Sequence, residues 1–158
     1  MKTLILPIDG QSLEMAKNII ISGGLVAFPT ETVYGLGANA LSDEAVRAVY
    51  AAKGRPSDNP LIAHVHKDFD ITTLVTDIPD YAALLAKAFL PGPLTMVYRS
   101  KGVVCPEVSC GLDTLAIRVP SHEGAQRFLK VVDLPIAAPS ANVSKHVSPV
   151  PAEHVFAD

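Results

Sequence analysis

Five polar groups in this chain have the residue types and spacing to handle an anion or an amino group. The first is TETVYGLG, residues 30–37. It offers two threonine hydroxyls, a carboxylate, a phenol and two glycines. Its Gly-x-Gly lacks the third glycine of a dinucleotide fingerprint and the Gly-Lys-Ser/Thr of a P-loop. The stretch is therefore either a turn whose glycines, Gly35 and Gly37, supply unusual backbone angles, or a ligand loop. The second group is Lys53 and Arg55 on either side of Gly54. A lysine is a compact point charge, and an arginine is a planar fork suited to phosphate oxygens. They either meet such a ligand or stand in solvent as charges complementing the end of a helix dipole.

The third group is His64 and His66, spaced to share one strand face. An H-x-H pair can bind metal, but no third ligand lies nearby. The expectation is a hydrogen-bonding His64 at a cleft, a surface His66 and no metal site. The fourth is Arg118, set beside the apolar Ile117 and Val119. Burying it is costly without an anionic partner, which is either a ligand or a structural ion pair. The fifth is PSANVSKHVSP, where Ser140, Asn142, Ser144 and Ser148 are all candidate ligands or caps.

These groups need elements to hold them. Residues 3–6 read as an edge strand. Asp9 caps a helix through Ser22, with Leu13, Ala16 and Ile20 at helical spacing, and Gly23-Gly24 stops it. The continuous apolar run at 25–28 predicts a strand buried on both faces, ended by Pro29. Ser42 is an N-cap, with Asp43 and Glu44 against the positive helix end. Val46, Val49 and Tyr50 form one apolar face that Lys53 continues. A lysine there either snorkels past the core or points into a cleft. Gly54 closes that helix in a left-handed cap.

Asn59 precedes a strand at 61–65. A helix follows at 79–90 with Tyr81, Leu84, Leu85 and Ala88 on one face, and Pro91-Gly92-Pro93 ends it. Strands are predicted at 94–98 and 112–119, with Thr114, Ala116 and Arg118 sharing a face of the second. A loop at 101–111 lies between them. Ser121 caps a helix to about residue 131. A small apolar strand at 135–138 runs into the Ser/Asn-rich loop, the arrangement by which open α/β sheets build binding crevices. A last helix starts near Pro149 with Ser148 as its cap. No internal repeat or low-complexity run interrupts the order.

The 158 residues favour one domain. Thirteen basic against sixteen acidic residues, a net charge of −3, argue against a protein living on non-specific phosphate contacts with nucleic acid. Ten glycines and thirteen prolines make its many loops shaped ones. Cys105 and Cys110 lack the second pair that a zinc site needs. Two free thiols are expected, with a disulfide or a metal as the alternatives. The N-terminal MKTLILPIDG is too short in its apolar run for a signal peptide, and no run approaches a membrane span. The expectation is a cytoplasmic protein with no membrane contact.

Taken together, FPTETVYGLG, KGRPSDNPLIAHV, PGPLT, LAIRVP and APSANVS resemble the YrdC-type family, the threonylcarbamoyl-adenylate synthases. The likeness covers nearly the whole chain, with its motifs in order. It implies an α/β fold on a twisted, mixed sheet with flanking helices and a large concave cleft. It implies that L-threonine, bicarbonate and ATP, the last with Mg²⁺, give threonylcarbamoyl-adenylate and pyrophosphate. The product passes to proteins that modify an adenosine in tRNA.

Residue by residue, Lys53, Arg55, Ser140 and Asn142 match the family's Lys-x-Arg and Ser-x-Asn. These, with Asn59, Thr114 and Ser148, look like the ATP set, and Lys53 and Arg55 look catalytic. Thr32, Tyr34, His64 and Arg118 look like the threonine set, with Arg118 expected to hold the carboxylate through two nitrogens at once. Family members continue for further elements, among them a Ser-Thr-containing strand and an arginine, so the single domain at 1–158 reads as C-terminally shortened. Two rivals fit less well. A double-stranded RNA-binding module would leave the acidic balance and the missing row of stacking aromatics unexplained. The carbamoyl-transfer domain of hydrogenase maturation adds an acylphosphatase-like segment and zinc-finger cysteines, neither present here.

Overall fold

The computed structural model describes residues 3–54, 59–143 and 148–157. Its first helix, α1 (Gly10–Ile21), begins where Asp9 Oδ1 accepts the Ser12 N–H at 2.9 Å and ends at Ser22. Residues 3–6, expected as an edge strand, pair with no strand and are exposed. An apolar run is not enough to make a strand without a sheet edge to join. Among the described residues, strand β1 (Val26–Phe28) is an edge strand paired only with β2 (Gly35–Asn39). Ala27 is accordingly exposed, so burial on both faces does not hold for β1.

Gly35 and Gly37 lie inside β2 rather than in a turn, and neither has a positive φ. They are needed for space. A Cβ on Gly37 would sit 2.7 Å from Ile136 Cγ2 and 3.0 Å from Phe28 Cε1.

Helix α2 (Asp43–Lys53) starts with Ser42 Oγ accepting the Ala45 N–H and ends with Gly54 at φ 56°, both as the sequence predicts. Strand β3 (Ile62–His64) follows, and then β4 (Val75–Thr76). Helix α3 (Asp80–Phe89) turns the expected apolar face outward. Ala82 is buried and Ala86 and Leu90 pack on the core, whereas Tyr81 and Leu84 are 68% exposed. The small alanines let the helix approach closely, so packing overrides the larger stripe.

Strand β5 (Thr95–Ser100) leads into the cysteine segment. There the expected loop contains a short helix, α4 (Pro106–Ser109), flanked by Cys105 and Cys110. Cys105 and Cys110 are not joined in a disulfide, and burial pushes the Cys105 thiol up to about 12. Strand β6 (Thr114–Arg118) alternates as predicted, with Leu115 and Ile117 in the core. Helix α5 (Glu123–Val132) is capped by His122, not Ser121: its Nδ1 accepts from the Gly124 and Ala125 N–H groups. Strand β7 (Ile136–Ala138) is wholly buried, and α6 (Ala152–Ala157) begins four residues after Ser148, too late for Ser148 to be its adjacent cap.

The strands form one mixed sheet in the order β1-β2-β7-β3-β6-β5-β4, antiparallel except for β3 and β6. One face carries the larger core, with α2, α4 and the alanines of α3. On the other face α1 and α5 pack over β1 and β7 around Phe28, Phe128 and Ile136. That helical layer stops at β7. Beyond it, register sets Ala138, Ile62, Ala116 and Val97 side by side across four strands, with Val97 64% exposed. The step from covered to open sheet is where a ligand can lie. Among the described residues no helix is long and apolar enough to cross a membrane.

Candidate functional site

The loop leaving β1 is shaped by its own hydroxyls. Thr30 Oγ1 accepts the Thr32 and Val33 N–H groups, donates to Val33 O at 2.6 Å, and lies 3.0 Å from Thr32 Oγ1. Such a turn satisfies the backbone without a strand partner. The loop leaving β7 runs beside it. Leu36 N–H donates to Pro139 O, Ala141 N–H to Tyr34 O, and Tyr34 N–H to Pro149 O, while Gly35 bridges Ser140. The two motif loops are thus zipped into one wall.

Between that wall and the open sheet lies a cavity of about 340 Å³. Thr30, Tyr34, His64 and Arg118 line it, together with Asn59 and Ser140. Tyr50 OH donates to Asn59 O at 3.0 Å and so fixes the Asn59 backbone.

His64 is 4% exposed at the end of β3, edge-on to Phe28 at 5.7 Å. Its Nδ1–H donates to Ile62 O at 3.0 Å, so Nε2 of the neutral ring is an acceptor. Burial, helped by the Arg118 charge, lowers its pKa to about 4. The ring is therefore neutral at ordinary pH. Tyr34 is pushed the other way. Burial and the Glu153 charge raise its phenol, which stays protonated and able to donate.

Arg118 does have an anionic partner, and it belongs to the protein. Arg118 Nη2 donates to Glu31 Oε1 at 2.8 Å and to Thr32 Oγ1 at 3.0 Å. Glu31 Oε2 accepts the Ser121 N–H at 3.1 Å. Burial works to raise the Glu31 carboxyl, but the Arg118 bond and charge outweigh it and hold its pKa below the usual value. Among the described residues, buried Arg118 Nε has no hydrogen-bond partner. Sequence reasoning counted Glu31 only as one carboxylate in its loop. The signal available was Arg118 itself, an arginine among apolar neighbours that demands an anion.

Lys53 is 3% exposed and its ammonium donates to the backbone carbonyls of Ser140 and Asn142. It continues the apolar stripe of α2 into the interior, so the solvated-charge reading does not apply to it. It lies behind the Ser140 wall and fixes the loop that carries Ser140 and Asn142. Asn142 is buried beside it. Thr114 is on the Arg118 face of β6, four residues away, which is about 13 Å along a strand. Ser148 is half-buried and is not among the cavity's walls. Arg55 and Ser144 lie outside the described residues.

His66 corrects an expectation. It is buried, not a surface residue: Nδ1 accepts the Asp68 N–H, and Nε2 donates to Asp133 Oδ1 at 2.8 Å. Two residues beyond His64, it has left β3 and pins the end of α5. Among the described residues no three His, Cys, Asp or Glu side chains gather to hold a metal.

The family model Sua5/YciO/YrdC, described as telomere recombination, matches residues 18–158. The chain is 50% identical over 151 residues to the threonylcarbamoyl-AMP synthase of Pyrococcus abyssi, covering 96% of this chain and 44% of that protein. It is 48% identical to the Bacillus subtilis protein of the same name, over 92% of this chain and 42% of that one. The crystal structure of P. abyssi Sua5 complexed with L-threonine superposes with a TM-score of 0.92 at 49% identity, covering 97% of this chain and 45% of that chain. The chain thus spans less than half the length of the curated relatives it matches.

Proposed function

The chain belongs to the Sua5/YciO/YrdC family, and from that premise we propose that it forms L-threonylcarbamoyladenylate and pyrophosphate from L-threonine, bicarbonate and ATP. It would do so as a nucleotidyltransferase whose product serves threonylcarbamoyladenosine modification of tRNA. The supporting observation is that one cavity is walled by both residue sets. His64, Tyr34 and Arg118 come from the amino-acid set, and Asn59 and Ser140 from the nucleotide set. A relative of the same fold is complexed with L-threonine.

In this reading the threonine carboxylate meets Arg118. The Nε2 acceptor of His64 and the hydroxyls of Thr32 and Tyr34 take the amine and the side-chain hydroxyl. The ammonium gives a proton to bicarbonate, which leaves water and CO₂. The freed amine lone pair attacks the CO₂ carbon as one C–O π bond opens, and a second N–H proton is released to give the carbamate. A carbamate oxygen then attacks the α-phosphorus of ATP and pyrophosphate leaves. Two anions must be brought together, so positioning and electrostatic stabilisation are the protein's main contributions.

Thr114, Asn142 and Ser148, with Asn59 and Ser140, are assigned to ATP, and Lys53 and Arg55 to offsetting the phosphate charge. Lys53 acts there chiefly by holding the Ser140 loop. Mg²⁺ enters as part of the substrate, on the phosphate oxygens of ATP. Octahedral Mg²⁺ is usually shared in this way between phosphates and few protein ligands. The product would pass to the proteins that carry the threonylcarbamoyl group to tRNA.

The test has two arms, run on this chain and on any longer product of the same gene. Calorimetry should show L-threonine binding without ATP. Pyrophosphate release from Mg·ATP should require both threonine and bicarbonate. Release that is indifferent to threonine, or no threonine binding, would refute the assignment.

A further inference from the structure

Arg118 is the residue on which an amino-acid carboxylate would land, yet it is already engaged. A guanidinium has two forks able to grip a carboxylate with two nitrogens, Nε with Nη2 and Nη1 with Nη2. Both include Nη2. Among the described residues that nitrogen gives its hydrogens to Glu31 Oε1 and Thr32 Oγ1, while Nε is buried without a partner. The two-nitrogen grip expected of Arg118 is not available while Glu31 is in place.

Glu31 is itself fixed. Its second oxygen takes the Ser121 N–H, its side chain is 19% exposed, and it does not line the cavity. It acts on the cavity through Arg118, which does line it. Glu31 thus offsets the charge of Arg118 at close range, and His64 beside them is neutral.

We propose that Glu31 is a positioning and charge-setting residue. It holds Arg118 by the nitrogen common to both forks, limits an incoming carboxylate to Nη1, and so tunes the pocket to a net-neutral zwitterion over a simple carboxylate anion. This rests on the amino-acid reading of the cavity. An Arg118–Glu31 pair of net zero charge gains little from a ligand of net charge −1, because Arg118's attraction is offset by Glu31's repulsion a few ångströms away. A zwitterion adds an ammonium group that Glu31 attracts. Selection against the simple anion therefore comes from the pair, not from either residue alone.

The test compares L-threonine with its α-hydroxy analogue, in which a hydroxyl replaces the ammonium group and the carboxylate is kept. Affinities for both are measured by calorimetry on the wild type, Glu31→Gln and Glu31→Asp, with folding checked by circular dichroism. The wild type should bind threonine at least about tenfold more tightly than the analogue. In Glu31→Gln the analogue should gain at least about fivefold while threonine changes less than about twofold. Glu31→Asp, which restores the charge, should move the ratio back towards wild type.

A residue that only supports the fold would weaken both ligands together and leave their ratio fixed, and that outcome overturns the proposal. If Glu31→Gln does not fold, the wild type still decides, since equal affinity for the two ligands is equally fatal. A wild type that binds neither ligand defeats the amino-acid reading as well, whereas threonine binding with an unmoved ratio defeats this inference alone.

Discussion

His64 shows how one buried ring can set the acid limit of the fold. Burial lowers its pKa from 6.5 to about 4, so the native protein keeps it neutral while the unfolded chain protonates it below the ordinary value. The unfolded state then binds more protons, and stability falls as pH drops from about 6.5 towards about 4. By about pH 5 this one group should have removed about 2 kcal/mol. Urea denaturation at about pH 7 and pH 5 measures it. His64→Asn, whose amide can still donate to Ile62 O, should lose about that much less stability between the two pH values. An unchanged difference would place the titration elsewhere. At this scale much of the site could be read from residue types. A histidine and an arginine in apolar strands and a hydroxyl-rich loop after a buried strand all need polar partners, and the structure brings them to one cavity. What could not be read was who the partners are. Glu31 beside Arg118, and two carbonyls around Lys53, are meetings of residues 87 or more positions apart in the chain.

Among the elements, β2 is the tightest fit. Its glycines face Phe28, Ile136 and Ala138, where the α1–α5 layer closes over the sheet. Gly37→Ala should cost about 1–3 kcal/mol, because a methyl group 2.7 Å from Ile136 Cγ2 overpacks a filled layer. Thermal unfolding of that variant is the check. Pairing it with Ile136→Ala, which removes Cγ2, should cost less than the two single losses added together, and strict additivity would mean that the strain lies in the Phe28 or Val26 carbonyl contact instead. Local signals served well wherever a single residue decides an element's end, as at Asp9, Ser42 and Gly54. They failed where a neighbour decides. The face of α3 was assigned to its larger side chains, but the core takes Ala82 and Ala86 because only small residues let that helix lie close. The run at 3–6 has strand-forming residues and no edge to join. Edge strand β1 has the apolar pattern of a central one, and pattern alone does not give a strand's place in the order.

For the molecule as a whole, Lys53 is the join between its two sides. It ends α2, which packs on the larger core, and its ammonium reaches the loop after β7, which walls the cavity beside the smaller core. Family resemblance alone would make Lys53→Ala a loss of turnover in an intact fold. The structure gives it a second consequence. Removing the ammonium leaves the Ser140 and Asn142 carbonyls without their donor, and each charged hydrogen bond lost costs about 1.5–3 kcal/mol. Lys53→Ala should therefore lower stability by about 3 kcal/mol or more, and the loop should loosen with it. Lys53→Met keeps the stem's packing along α2 but not the donor, so it should recover the part due to the cavity and none of the part due to the carbonyls. The site should register both changes. Because Ser140 bridges Gly35, and Ala141 N–H holds Tyr34 O, a loosened loop disturbs the amino-acid side of the cavity as well as the nucleotide side. L-Threonine affinity should then fall in both variants, although Lys53 is not among the cavity's walls. Denaturant unfolding together with threonine calorimetry separates the possibilities. Wild-type stability and threonine affinity in both variants, with only nucleotide binding lost, would make Lys53 a ligand to phosphate and nothing more.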